Sequence, residues 1–515
     1  MKGVGIGLPK CVHFHVANSI LYYGDNLNVL REHIKDESVD LIYLDPPFNS
    51  KRDYNLLFKS PEGDRSKAQT VAFEDTWQWG EGAEEAFHGV MHSGHSAAAV
   101  MLNALRSFMG ESDVMAYLAM MAVRLLELHR VLKPTGSIYL HCDPTASHYL
   151  KVLMDAIFGS KNFRNEVIWD YSFRLMDLPK FYNRKHDVLL FYAKSANNWF
   201  DMPKTSWTKD DLLKSRKQKI HVDENGVEWI WMPGGRGHSK NKLKQVDQIL
   251  KEGKAISDVW QIPVISSSSK ERLGYPTQKP LALLERIVRA SSAEGHTVLD
   301  PFCGCGTAVD AAEMLRRQCI GIDITHLAVG LIERRLKARY ADIAFDIKGI
   351  PKDIDGLRAM AQQARNHPRL YYELQYWAIN QIPAAQHAQN QKKGADRGID
   401  GIVWLRPAKG TYEKAIISVK AGEHVSVQML RDMRGTVERE KAKLGIFLSL
   451  AEPSKPMKTE AAAGMAELEG VKCPRIQILT FEDLLNGKQP QLPYADYSLA
   501  LPKAQEQEKE QTQLL

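Results

Sequence analysis

Short, almost wholly apolar runs alternate along this chain with longer stretches whose apolar positions recur every three or four residues. The first pattern predicts strands buried on both faces, the second amphipathic helices. SILYYG (19–24) reads as a strand, NLNVLREHI (26–34) as a helix, and VDLIYL (39–44) as a second strand ending at Asp45. Residues 59–112 are polar, with Gly, His and Ser clusters, and read as a loop or lid. A helix over 113–131 is stopped by Lys133-Pro134-Thr135-Gly136. Then come strand SIYLHC (137–142), helix SHYLKVLMDAIF (147–158), and strands NEVIWDYSF (165–173) and KHDVLLFYAK (185–194). After an interruption the pattern resumes with strand HTVLDPF (296–302), helix TAVDAAEMLRR (307–317) and strand QCIGIDI (318–324). Strands alternating with helices predict an α/β fold, its largely parallel sheet covered on both faces.

The interruption, 201–257, carries 12 Lys and Arg against 8 Asp and Glu, interleaved with Trp207, Trp229, Trp231 and a GGRGHSKNK run (234–242). After about residue 345 a smaller α/β unit begins, with helix RLYYELQYWAINQI, strands GIDGIVWL and KAIISVK, a helix around RDMRGTVERE (431–440), strand LGIFLSL and a last piece around IQILTFEDLL. The domains are expected at 1–345 and 355–485, with a polar, disordered tail over 490–515. The composition, 44% apolar and 25% charged, excludes a fibrous or wholly disordered chain. No apolar run approaches the roughly 18 residues that cross a bilayer. Pro9, Lys10 and several His break the N-terminal stretch, so it does not read as a signal peptide. Six Cys follow no disulfide framework. The expectation is a cytoplasmic protein with no membrane partner. Its net charge of +6 leans mildly toward a polyanion.

Two motifs carry chemistry. Asp45-Pro46-Pro47-Phe48-Asn49 closes the VDLIYL strand, and consecutive prolines there fix a rigid turn. A carboxylate, a free carbonyl and an aromatic ring are thereby presented at the sheet's C-terminal edge, where open α/β sheets bind ligands. An exocyclic amine on a flat base suits this trio: Asp45 takes one N–H, the Pro46 carbonyl the other, and Phe48 stacks on the ring. The second motif is Asp300-Pro301-Phe302-Cys303-Gly304-Cys305-Gly306-Thr307, between a strand and a helix. Glycines let a ligand approach the backbone, and the helix N-terminus favours an anionic group. Asp323 follows Gly304 by 19 residues, near the spacing of about 20 at which such an acid meets ribose hydroxyls. Cys303 and Cys305 read as small packing residues.

With these residues the chain over 19–340 resembles the N6-adenine/N4-cytosine DNA methyltransferase family: DPPF resembles its catalytic motif, and DPFCGCGT its S-adenosylmethionine motif. YPTQKP (275–280) resembles the segment that precedes the cofactor motif, and the motif order is that of the family's β class. The resemblance implies a Rossmann-like fold and places a target-recognition segment at 201–257, on double-stranded DNA. It also implies cofactor contacts at Asp25, after Gly24, and at Lys279, Asp300, Phe302, Gly304, Gly306, Thr307 and Asp323, with catalysis at Asp45, Pro46, Pro47 and Phe48. Asp as first letter resembles the adenine branch, N4-cytosine being the alternative. Family analogues that methylate protein glutamine carry Asn there.

GADRGIDG (394–401) and AIISVK (415–420) resemble the Mrr-like branch of the PD-(D/E)xK nucleases. That resemblance implies a metal site, usually for Mg²⁺, at Asp400, with Lys420 as its catalytic neighbour, and two alternatives: a bifunctional enzyme that marks and cuts DNA, or a nuclease-like fold that only binds DNA or a partner. Ser418 departs from the pattern, standing where Glu or Gln is usual. Glu373 and Gln428 are candidates to compensate but read better as solvated helix residues; His387 and His424 read as surface residues. The RDMRGTVERE helix suits either a homodimer contact or packing on its own sheet.

Overall fold

The computed structural model describes residues 19–47, 52–59, 65–75, 78–143, 146–171, 182–232, 242–266, 268–269, 271–273, 275, 277–340, 343, 345–351, 353–365, 368–388, 398–408 and 411–497, with the backbone alone at 52–59 and 65–75. Among these, nine strands form the larger sheet: β1 Ser19–Tyr23, β2 Val39–Leu44, β3 Leu132–Cys142, β4 Phe163–Asp170, β5 His186–Ala193, β6 Val259–Gln261, β7 Thr297–Asp300, β8 Gln318–Asp323 and β9 Phe345–Lys348. Their order is β6-β4-β5-β3-β2-β7-β8-β1-β9. β5 alone runs antiparallel to its neighbours.

The apolar runs do not alternate with polar residues because both faces are covered. In β2, Ile42 and Leu44 join a core beneath α1 (Asn26–His33) and α2 (Asp113–Val131), while Leu41 and Tyr43 join one beneath α3 (Leu281–Ser291), α4 (Thr307–Met314) and α5 (His326–Arg339). α2 is nearly all apolar for the same reason, with Met115 through Val123 buried. The stretch 59–112 is no loop: it holds most of a β-hairpin (Arg52–Lys59 with Arg65–Asp75) and helices Glu81–Met91 and Ser96–Met109, the second helix burying Ala98 and Leu102. Val100 and Phe108 on that helix remain exposed.

Residues 201–257 fold around a small core of Leu212, Ile230, Val246 and Ile249. Three short antiparallel strands and two helices surround it, and Lys204–Thr205 pairs with Lys254–Ala255 where the chain enters and leaves. Trp207 packs against that core and Trp229 donates to Asp223 at 2.9 Å, while Trp231 is exposed. Most of the GGRGHSKNK run lies outside the described residues.

The C-terminal unit holds a five-stranded sheet, in order β10 Ala385–His387, β11 Gly401–Ala408, β12 Thr411–Lys420, β13 Leu444–Ser449 and β14 Ile476–Thr480. β10, β11 and β12 are antiparallel; β12, β13 and β14 are parallel. α6 (Pro368–Asn380) and α7 (Val427–Arg439) flank it. α7 buries Leu430, Met433 and Val437 in the unit's own core, so its apolar stripe is spent inside the chain rather than on a second copy. Residues 490–497, expected within the tail, belong to the C-terminal unit. Arg406 and Asp496 donate backbone bonds to Tyr494 and Trp404 across the free edge of β11, and residues beyond 497 lie outside those described. Among the described residues, no helix is long and apolar enough to cross a membrane.

Candidate active site

Four neighbouring parallel strands, β2, β7, β8 and β1, each deliver an aspartate at or just past their C-terminal ends: Asp45, Asp300, Asp323 and Asp25. Register aligns them, with Ile42 opposite Leu299, Asp300 opposite Gly321, and Tyr23 opposite Asp323. β2 hands the chain on to β3 and β7 hands it on to β8, so the connections depart in opposite directions. A crevice opens there at the carboxyl ends of the strands.

On one side of the crevice lies Asp45. Its Oδ2 forms an ion pair with Lys279 Nζ, both side chains being mostly buried. Its Oδ1 is buried with no hydrogen-bond partner among the described residues. A carboxylate oxygen left that way costs roughly 1–3 kcal/mol, which an incoming N–H donor would offset. Lys279 is aimed by its own segment. The Gln278 side chain accepts from Leu273 N at 2.8 Å and donates to the Glu271 carbonyl at 2.9 Å, and Glu271 Oε1 accepts from Leu281 N at 2.6 Å. Pro46 and Pro47 follow Asp45 as expected; Phe48 lies outside the described residues.

On the other side lies the glycine turn. Gly304 and Gly306 adopt φ of +49° and +75°, the left-handed region. Both also answer to packing: a Cβ would lie 3.2 Å from the Tyr275 ring at 304 and 2.7 Å from Ile332 at 306. Asp323 Oδ2 accepts the Gly304 amide at 2.9 Å, and its Oδ1 accepts the Thr325 amide and hydroxyl, both at 2.9 Å. Asp300 is buried and accepts the Phe302 amide at 3.1 Å. Burial raises its carboxyl well above the usual range; the Phe302 amide works against this, while the nearby Asp45 and Asp323 add to it. Thr307 is buried at the first position of α4, and Phe302 is half-buried. Cys303 and Cys305 are buried packing residues.

Asp25 caps α1, accepting from Leu27 N at 2.9 Å, and pairs with Arg124 at 2.8 Å. Arg124 also donates to Asn26 Oδ1 at 2.6 Å, and Asn26 Nδ2 to the Pro301 carbonyl at 2.8 Å, tying the turn after β1 to the turn after β7. Sequence reasoning missed Arg124 and Asn26; the signal was an arginine set in an otherwise apolar helix stretch. It also missed a buried chain behind Asp45. Tyr43 Oη lies 2.9 Å from His141 Nδ1, and His141 Nε2 3.1 Å from Asp187. Burial acts to raise the Asp187 carboxyl, but the His141 hydrogen bond and the nearby charges of His141 and Lys279 outweigh it and hold the group below the usual carboxylate range.

Among the described residues of the C-terminal unit, the expected metal site is not assembled. Asp400 is buried, its Oδ2 accepting the Val419 amide at 2.6 Å and its Oδ1 the Gln375 amide group at 3.2 Å. Ser418 is buried, and Lys420 lies two residues on at the strand end, opposite Ser449. Glu373 is not solvated: it is buried and accepts the His326 amide at 3.2 Å. His387 is buried too, against the expectation of a surface residue, whereas Gln428 is exposed and donates to Asp432. Among the described residues, no group of three or more His, Cys, Asp or Glu could hold a metal ion.

Comparison with known proteins agrees with this division. Residues 382–486 match the family model of NACHT-associated inactive restriction endonuclease 1. The type II methyltransferase M.BamHI of Bacillus amyloliquefaciens is 29% identical over 333 residues, 64% of this chain and 60% of that protein. The chain thus spans less than two thirds of that relative's length. The DNA adenine methyltransferase YhdJ of Escherichia coli K12 is 26% identical over 319 residues, 61% of this chain and 82% of that protein. Of solved structures, the PvuII DNA methyltransferase (cytosine-N4-specific) shares 14% identity over 64% of this chain and 96% of that one, with a TM-score of 0.37, too low to bear on function. The family model described as DNA methylase matches residues 39–334, more than half of the chain, and the chain therefore belongs to the N6/N4 DNA methylase family.

Proposed function

We propose that the chain methylates the exocyclic N6 of adenine in double-stranded DNA. The observation that carries this reading is the Asp45 carboxylate, one oxygen fixed by Lys279 and the other a buried acceptor awaiting a donor, beside the glycine turn. The residues around that turn suit S-adenosylmethionine: the Gly304 and Gly306 backbone, Phe302 and Thr307 lie on one side, and Asp323 and Asp25 are acids for its hydroxyl and amino groups. When bound there it supplies an electrophilic methyl group.

This chain's residues then act on the acceptor. An amino nitrogen conjugated with its ring is a poor nucleophile. Asp45 Oδ1 and the Pro46 carbonyl accept hydrogen bonds from its two N–H groups, favouring a more tetrahedral nitrogen whose lone pair faces the methyl group. The acceleration comes from positioning and fixed charge. The base must leave the duplex to reach this depth, at a cost of a few kcal/mol. The folded 201–257 segment, with Lys214, Lys217, Lys219, Lys242 and Lys251 at its surface, suits phosphate contact. The first motif letter and the adenine methyltransferase among the relatives favour adenine. Nucleoside mass spectrometry of DNA incubated with the pure protein and S-adenosylmethionine tests this. N6-methyldeoxyadenosine is expected; N4-methyldeoxycytidine would move the target to cytosine, and the absence of both products would refute the reading.

For the C-terminal unit we infer a module that does not cut. The Asp400 oxygens are occupied by chain donors, and Ser418 supplies no acidic ligand. Adding Mg²⁺ to the pure protein is therefore expected to produce no nicking of plasmid DNA. Asp400→Ala lowers stability by about 1–3 kcal/mol in denaturant unfolding, through the buried Val419 amide it leaves unpaired. Mg²⁺-dependent nicking that disappears in Asp400→Ala would overturn this.

A further inference from the structure

The helix that follows Asp323 is held from outside its own sheet. α5 begins at His326, and its cap Thr325 accepts from the Ala328 amide at 3.2 Å while both its own donors go to Asp323. Two more groups complete this helix end, and both come from α6 of the C-terminal unit. Glu373 Oε2 accepts the His326 amide at 3.2 Å, and Asn380 Nδ2 donates to the His326 carbonyl at 3.2 Å. Asn380 Oδ1 accepts from Arg334 Nη2 at 3.0 Å and lies 3.0 Å from His387 Nε2. From the other side, Tyr23 stacks on the His326 ring with centroids 3.8 Å apart. Tyr23 pairs with Asp323 across the sheet and leads into Gly24, whose amide donates to the Asp323 carbonyl at 2.9 Å.

A buried carboxylate on the first amides of a helix is where the helix's partial positive charge favours it. It is not balancing an imidazolium, because burial lowers the His326 ring to a pKa of about 3 and keeps it neutral. A glutamate buried on α6 and turned toward another unit's helix adds nothing apolar to its own core. It does fix the start of α5, hence Thr325, hence the Asp323 carboxylate that holds the Gly304 amide.

We propose that Glu373 and Asn380 are positioning residues for the cofactor turn, so that the C-terminal unit sets the affinity of the methylase unit for S-adenosylmethionine. The inference rests on the proposed function for the identity of the ligand. The test uses the full chain and its Glu373→Ala, Glu373→Gln and Asn380→Ala variants, titrated with S-adenosylmethionine in a calorimeter. Glu373→Ala is expected to weaken binding about tenfold. Glu373→Gln restores most of it, since an amide oxygen still accepts the His326 N–H. The kcat at saturating S-adenosylmethionine and the KM for DNA stay unchanged in all three. Hydrogen exchange speeds up at the His326 and Ala328 amides and not in β2.

Unchanged affinity in both Glu373→Ala and Asn380→Ala would overturn the coupling alone. So would equal losses toward cofactor and DNA with faster exchange throughout the sheet, which mark general loosening. A wild-type chain that binds no S-adenosylmethionine would overturn the proposed function and the coupling together.

Discussion

Asp45→Asn is expected to lower the rate of methyl transfer by roughly 10³–10⁴-fold while leaving S-adenosylmethionine binding within about twofold of wild type. The substitution keeps size and shape, and fails for a reason the geometry makes plain. Asp45 faces donors on two sides: the Lys279 ammonium at Oδ2 and, in the proposed complex, an amine proton at Oδ1. Both sites need acceptors, and a carboxylate is acceptor-only. An asparagine has one acceptor and one donor end. If its oxygen serves Lys279, its amide points hydrogens at the target amine; if it serves the amine, its hydrogens meet the ammonium. Single-turnover methylation beside calorimetric cofactor titration measures the two effects apart. Activity retained within about tenfold would sink the role assigned to Asp45.

The second large effect falls on stability, at Asp310. This residue is fully buried in α4, directly behind the glycine turn. Its Oδ2 accepts from Arg335 at 2.7 Å and from Arg339 at 2.6 Å, and its Oδ1 from the Tyr340 hydroxyl at 2.8 Å. All three partners lie on or just after α5, so one carboxylate joins the helix behind the turn to the helix behind Asp323. Arg335, itself nearly buried, also donates to the Cys305 carbonyl within the turn at 3.1 Å. Asp310→Ala removes the only carboxylate that the structure gives Arg335 among the described residues and strands a buried guanidinium. Breaking such a pair from one side costs roughly 3–5 kcal/mol, more than the pair itself contributes. Chemical denaturation should show a loss of that size for the methylase unit; a loss under about 1 kcal/mol would mean that water replaces the carboxylate.

Legibility in the sequence followed the locality of the physics. The DPFCGCGT turn was readable because strand, turn and helix lie within a few residues of each other, and the backbone geometry it needs restricts the residue types. The large sheet was readable because a run such as VDLIYL, apolar at odd and even positions alike, has to be covered twice. What escaped depends on partners far away in the chain. Lys279 reads as a cofactor residue in its motif, yet its ammonium meets a carboxylate 234 residues earlier. Glu373 reads as a solvated helix position because nothing near it in sequence indicates the helix it touches. Asp25 reads as a cofactor contact, and only the fold reveals that it also caps α1 and pairs with Arg124. The helices within 81–109 were missed because the Gly, His and Ser residues between them, around 92–96, suggest a loop, although Ser96–Met109 is itself largely apolar. Ser418 needed no partner to be informative, since a hydroxyl in place of an acid weakens a metal site on its own.

The order of strands in the large sheet also dictates when the four aspartates at its carboxyl edge can come together during synthesis. β1, whose following turn supplies Asp25, is flanked by β8 and β9, so residues 19–23 find their neighbours only after 318–323 and 345–348 have been made. Likewise β2 gains one neighbour early, at β3, but its other edge stays open until β7 arrives. At roughly 5–20 residues per second, the Asp45 turn waits on the order of half a minute beside an unpaired apolar edge. During that interval a nascent chain carries Asp45 with neither Lys279 nor the glycine turn to work with, and its exposed strand is open to misassembly with neighbouring chains.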